Sequence, residues 1–95
     1  MCTYEELATY VYFTETAMNI DKSMLKNPFV GKNDDISYYL IYAGKDKNDL
    51  TRDKIAQLKL SGPVVVYADR CLVDENELKE KEITFKQIPY EIKLF

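Results

Sequence analysis

Pro63-Val64-Val65-Val66-Tyr67-Ala68-Asp69 is the stretch that decides the fold. A β-branched run set behind Ser61-Gly62 and ending in charge reads as a strand buried on both faces, so other elements must cover it on each side. Ninety-five residues allow one domain (1–95) with one core. A chain of this size buries roughly 60–70% of its unfolded surface, enough to fold alone with little to spare.

Working outward from that strand, Thr3-Tyr4-Glu5-Glu6 reads as a capping box, with Thr3 and Glu6 each closing the other's backbone amide. It predicts a helix over 4–18 with Leu7, Tyr10, Val11, Thr14 and Met18 on its inner face. Residues 19–27 are polar and irregular. Pro28-Phe29-Val30-Gly31 and Ile36 to Ala43 flank Lys32-Asn33-Asp34-Asp35, a turn composition, which predicts an antiparallel hairpin whose second arm is a long buried strand. Residues 44–48 form a charged loop, and a short helix over 51–59 points Ile55 and Leu58 inward.

Beyond the central strand, Asp74 begins a second capping signal, and a helix over 75–81 buries Leu78. Ile83 to Ile88 alternates apolar with polar, as an exposed edge strand requires, and Lys86 there discourages edge-to-edge pairing. Pro89 cannot donate to a ladder and ends it. The β-α-β-α-β order from residue 36 implies parallel pairing with right-handed crossovers. The expected fold is a small three-layer α/β domain. Its mostly parallel sheet runs in the order hairpin arm, 36–43, 63–68, 83–88. The N-terminal helix covers one face and the two short helices the other.

Composition narrows function. The net charge is −3 and the lysines are dispersed among acids, so direct nucleic-acid contact by this chain is disfavoured. Cys2 and Cys71, without CxxC spacing or any histidine, make no zinc site and read as free thiols of a reducing cytoplasm. No run approaches the ~20 apolar residues of a membrane span, and Glu5 and Glu6 follow the start too closely for a signal peptide, so a cytoplasmic location is expected. The serines have no histidine to activate them. The acidic residues, among them Glu15, Asp21, Asp34, Asp35, Asp46 and Asp49, have no calcium-loop spacing and read as solvated charges. Asp69 and Arg70 follow the central strand at the carboxyl end, where open α/β sheets bind ligands. No glycine-rich loop follows them, so a surface ion pair or a helix-capping role is expected.

Four stretches together carry a family resemblance. They are Tyr12-Phe13-Thr14-Glu15-Thr16-Ala17, Tyr39-Leu40-Ile41-Tyr42, Val65 to Cys71, and the ending Ile83 to Lys93, the most specific of the four. Over nearly its whole length the chain resembles the C-terminal region of adenine-specific DNA methyltransferases of type III restriction–modification systems, the Mod subunits. That family transfers a methyl group from S-adenosylmethionine to adenine N6, as a dimer joined by a nuclease–helicase subunit. Its cofactor and catalytic motifs lie upstream of the matching region. Phe29-Val30-Gly31-Lys32-Asn33 resembles half of the FxGxG cofactor signature but lacks the second glycine, and reads as a hairpin turn. Gln87-Ile88-Pro89-Tyr90 resembles the (D/N/S)PPY motif, but Gln87 is too long and Ile88 replaces the first proline.

The resemblance therefore implies a C-terminal fragment with no catalytic, cofactor-binding or metal residues of its own; S-adenosylmethionine belongs to the parent enzyme. The expected role is a non-catalytic accessory or assembly domain. Its partners would be the rest of the methyltransferase, a second methyltransferase subunit or the nuclease–helicase subunit. Tyr12, Phe13, Phe29 and Phe95 are the candidate aromatic residues of that interface. The alternative is a free-standing binding module that uses the carboxyl edge of the sheet near Gly44 and Asp69 for a small anionic ligand. A remnant nuclease fold would need clustered carboxylates and an Asp…Glu-x-Lys arrangement, which the sequence lacks.

Overall fold

The computed structural model describes residues 3–42 and 48–89. Its elements are α1 (Tyr4–Thr16), β1 (Phe29–Asn33), β2 (Ile36–Leu40), β3 (Asp49–Leu50), α2 (Arg52–Leu58), β4 (Val64–Ala68), β5 (Arg70–Cys71), α3 (Glu75–Glu80) and β6 (Ile83–Gln87). The main sheet has the order β1-β2-β4-β6, antiparallel between β1 and β2 and parallel thereafter, with Val64 opposite both Ser37 and Ile83. The expected strand order and strand directions are those observed.

Every residue of β4 is buried, and alternation sorts its side chains between two cores. Val65 and Tyr67 join Tyr38 and Leu40 of β2 beneath Leu7, Ala8, Val11 and Tyr12 of α1. Val64, Val66 and Ala68 face the other way, onto Ile55 of α2 and Leu78 of α3. This is the expected three-layer α/β arrangement. A central strand with apolar residues at every position is stable only when both of its faces are roofed.

The capping box at Thr3 and Glu6 is present, with N···O distances of 2.9 and 3.1 Å. The helix it opens departs from expectation in two ways. It stops at Thr16 because Ala17 turns left-handed (φ 59°) and its N–H closes onto Phe13 O at 2.7 Å. Its inner stripe is Tyr4, Leu7, Ala8, Val11, Tyr12 and Glu15, the i, i+3, i+4 series of a core-facing helix, while Tyr10, Thr14 and Met18 are exposed. Tyr12 and Glu15 can face inward because their polar atoms find partners on the sheet. The Tyr12 hydroxyl donates to Lys32 O at 3.2 Å, and Glu15 receives two donors described below.

The hairpin turn is two residues, shorter than the four-residue composition suggested. Asp34 and Asp35 both take positive φ (52° and 65°), the geometry of a tight type I′ connection, and β1 runs on to Asn33. A bulge lies between Phe29 and Gly31. β2 ends at Leu40, short of the expected 43, although Ile41 N still donates to Tyr67 O at 2.8 Å. Of the loop expected over 44–48, residues 44–47 lie outside the described residues. Ile55 is buried as expected, but Leu58 is only half-buried. No sequence signal announced the parallel pair β3–β5, two residues long on each side, because such short strands carry no periodicity.

Candidate functional site

The four aromatic residues expected at an interface separate in the fold. Tyr12 is corrected: it is 7% exposed and belongs to the core. Its ring meets Tyr38 edge-on at 5.5 Å and closes over Gly31, where a Cβ would sit 3.0 Å from Tyr12 Cε1. That contact also answers the FxGxG comparison. The bare backbone at Gly31 receives a ring from the protein's own helix. Phe29 is half-buried against Tyr39, with ring centroids 5.6 Å apart. Phe95 lies outside the described residues. Of the three that are described, Phe13 alone is strongly exposed, at 54%.

Phe13 has company that sequence reasoning missed. Tyr10 is exposed one helical turn before it, so the two share the outward side of α1. Met24, 57% exposed, borders a shallow depression of about 180 Å³ together with Phe29, Val30 and Asn19. Met18 and Leu72 are exposed as well. The missed signal was the second apolar stripe of α1. Tyr10 and Phe13 follow a helical spacing of their own, displaced from the inner series by about half a turn.

The most concentrated charge chemistry joins α1 to the sheet. Glu15 Oε1 accepts from the Tyr67 hydroxyl at 2.8 Å, and Lys86 Nζ donates to both Glu15 oxygens, at 2.7 Å to Oε2. The Lys86 hydrogen bond holds the Glu15 carboxyl below its usual range, with the Tyr67 bond adding to it against the opposing effect of burial. Burial first, and then the neighbouring Glu15, push the Tyr67 phenol up. Each group is partnered within the cluster, so its role is to fasten the helix to β4 and β6. Lys86 therefore has a definite partner in addition to the edge-protecting position expected for it.

At the carboxyl end of β4, Asp69 and Arg70 are engaged by other residues of the protein. Asp69 Oδ2 accepts from the backbone and side-chain nitrogens of Asn48, at 3.2 and 2.9 Å, while Asp69 N donates to Asn48 O at 2.7 Å. Arg70 pairs with Asp49 through Nε and Nη2 at 3.0 and 2.8 Å, the surface ion pair expected of it. The Gln87 side chain donates to Asp69 O at 3.3 Å. These contacts engage Asp69, near which the alternative reading placed an anionic ligand; Gly44 lies outside the described residues. Nearby, a cavity of about 230 Å³ opens past the end of β2, lined by Asn27, Pro28, Ile41, Tyr42, Lys54, Gln57 and Leu58.

Among the described residues no group of three His, Cys, Asp or Glu side chains could hold a metal ion, and no helix is long and apolar enough to cross a membrane. No protein family, curated protein or solved structure matches this chain.

Proposed function

We propose that the chain is a non-catalytic assembly domain, and that it serves as the C-terminal accessory domain of an adenine-N6 DNA methyltransferase of a type III restriction–modification system. One observation carries the assembly reading. Phe13 and Tyr10 present aromatic surface on the outer side of a helix whose inner side is fully engaged with the sheet. Aromatic and methionine side chains are enriched where proteins meet, because they bury large apolar area with little loss of conformational freedom. The methyltransferase part of the proposal is supported by the sequence resemblance, above all by Ile83 to Lys93.

Its partners are then the remainder of the methyltransferase, a second methyltransferase subunit or the nuclease–helicase subunit. Contact with DNA is left to those partners, in keeping with a net charge of −3. The test is a calorimetric titration of the purified chain against a type III methyltransferase truncated before its C-terminal region, alongside titrations with S-adenosylmethionine and duplex DNA. Binding to the truncated enzyme, weakened at least about tenfold by Phe13→Ser combined with Met24→Ser, is the expected result. Micromolar binding of S-adenosylmethionine by the chain alone would overturn it, as would partner binding that is indifferent to the double substitution.

A further inference from the structure

The cavity beyond β2 has a chemical character distinct from the rest of the surface. Because β1 and β2 are antiparallel, the start of β1 lies beside the end of β2, and Leu40 N donates to Pro28 O at 2.9 Å. This places Asn27 and Pro28 across from Lys54, Gln57 and Leu58 of α2, with Ile41 and Tyr42 between them. Pro28, Ile41 and Leu58 supply apolar walls. Asn27 and Gln57 supply carboxamides, and among the described residues Lys54 supplies the one formal charge of the lining.

That charge is positive in a protein whose net charge is −3. Among the described residues the Lys54 ammonium donates to a neutral group, the carbonyl of Asp49, at 2.8 Å. The carboxylate of that same Asp49 is engaged by Arg70. Among the described residues no acidic side chain lines the cavity. An ammonium, half-buried in a lining that also holds apolar side chains and two carboxamide residues, is matched by a carboxylate attached to a small apolar body.

We propose that this cavity binds a small amphipathic monocarboxylate, with its apolar body against Pro28, Ile41 and Leu58 and its carboxylate on Lys54. Its size sets the scale of the ligand. About 230 Å³ lies below the ~300–1,000 Å³ of sites for drug-sized molecules, which leaves room for about one ring or a short branched chain plus the acid group. The site contains no residue of α1, so it is independent of the assembly reading.

The experiment is an amide-resolved NMR titration of the full chain with sodium phenylacetate, repeated with neutral phenylacetamide and with the variants Lys54→Met and Lys54→Arg. Phenylacetate should give saturable shifts at Ile41, Tyr42 and residues 54–58. Phenylacetamide should bind at least about tenfold more weakly, Lys54→Met should lose about tenfold in affinity, and Lys54→Arg should stay within about threefold of the parent. Equal binding of acid and amide by the unaltered chain would overturn the proposal, and so would shifts that stay linear to about 20 mM. The acid–amide comparison decides the matter even if a Lys54 variant fails to fold.

Discussion

Replacing Glu15 should uncouple the first helix from the sheet, and the size of the effect can be worked from its contacts. Glu15 is the common acceptor for Tyr67 and Lys86, and its side chain is 19% exposed. Hydrogen bonds to charged groups contribute ~1.5–3 kcal/mol when well buried. Lys86 is 42% exposed, so solvent screening discounts its pairing to about 1 kcal/mol. The Tyr67 hydroxyl is less forgiving. Its residue is buried, and loss of the acceptor leaves a desolvated donor at a cost of ~1–3 kcal/mol. Glu15→Ala should therefore destabilise by about 2–4 kcal/mol, whereas Glu15→Gln, which keeps an acceptor oxygen for Tyr67, should cost nearer ~1 kcal/mol.

Urea unfolding followed by circular dichroism, repeated from neutral to acid pH, checks both the size and the sign. The folded-state pKa of Glu15 lies below its unfolded value. The ionic contribution is accordingly complete above the unfolded carboxyl pKa of ~4.3 and disappears as pH falls through the lower folded value. The stability gap between the parent and Glu15→Gln should thus be constant near neutrality and close in acid. A gap that persists unchanged at low pH, or a Glu15→Ala variant within about 0.5 kcal/mol of the parent, would refute the reasoning.

Two further substitutions probe the same roofed face of the sheet. Gly31→Ala should cost about 1–3 kcal/mol in denaturant unfolding, because its Cβ would press on a Tyr12 ring already held by Tyr38 and Lys32 O, and pairing it with Tyr12→Leu should recover part of the loss. Tyr4→Phe should leave stability unchanged or raise it by up to about 1 kcal/mol in a thermal melt, since the buried Tyr4 hydroxyl has no hydrogen-bond partner; a loss above that size would mean the hydroxyl is satisfied in solution.

The candidate surfaces show how differently two kinds of signal travel from sequence to structure. Phe13 was identifiable as an exposed aromatic residue, but Tyr12 beside it was not separable from it by composition. A helix of mixed aromatic and polar residues offers more than one plausible inner stripe. Which one faces inward depends on whether the tips of Tyr12 and Glu15 meet acceptors and donors 20 to 71 residues away. The Lys54 cavity was still less legible, since its walls come from three separate segments. Asp69 was noted for its position after β4, yet its partner Asn48 is brought to it by the β3–β5 pairing, whose strands are too short to read in advance.

From residues alone came features that local chemistry controls: the cap at Thr3, a chain reversal within Lys32–Asp35, and a central Val64–Ala68 strand needing cover on both sides. The β-α-β order then implied parallel neighbours, because short connections leave few ways to arrange them. Packing alone decided the rotation of α1, the fastening of Glu15 to Tyr67 and Lys86, and the pairing of Asn48 with Asp69. Those outcomes turn on matching side-chain tips across distant segments, and no window of neighbouring residues contains both halves of such a match.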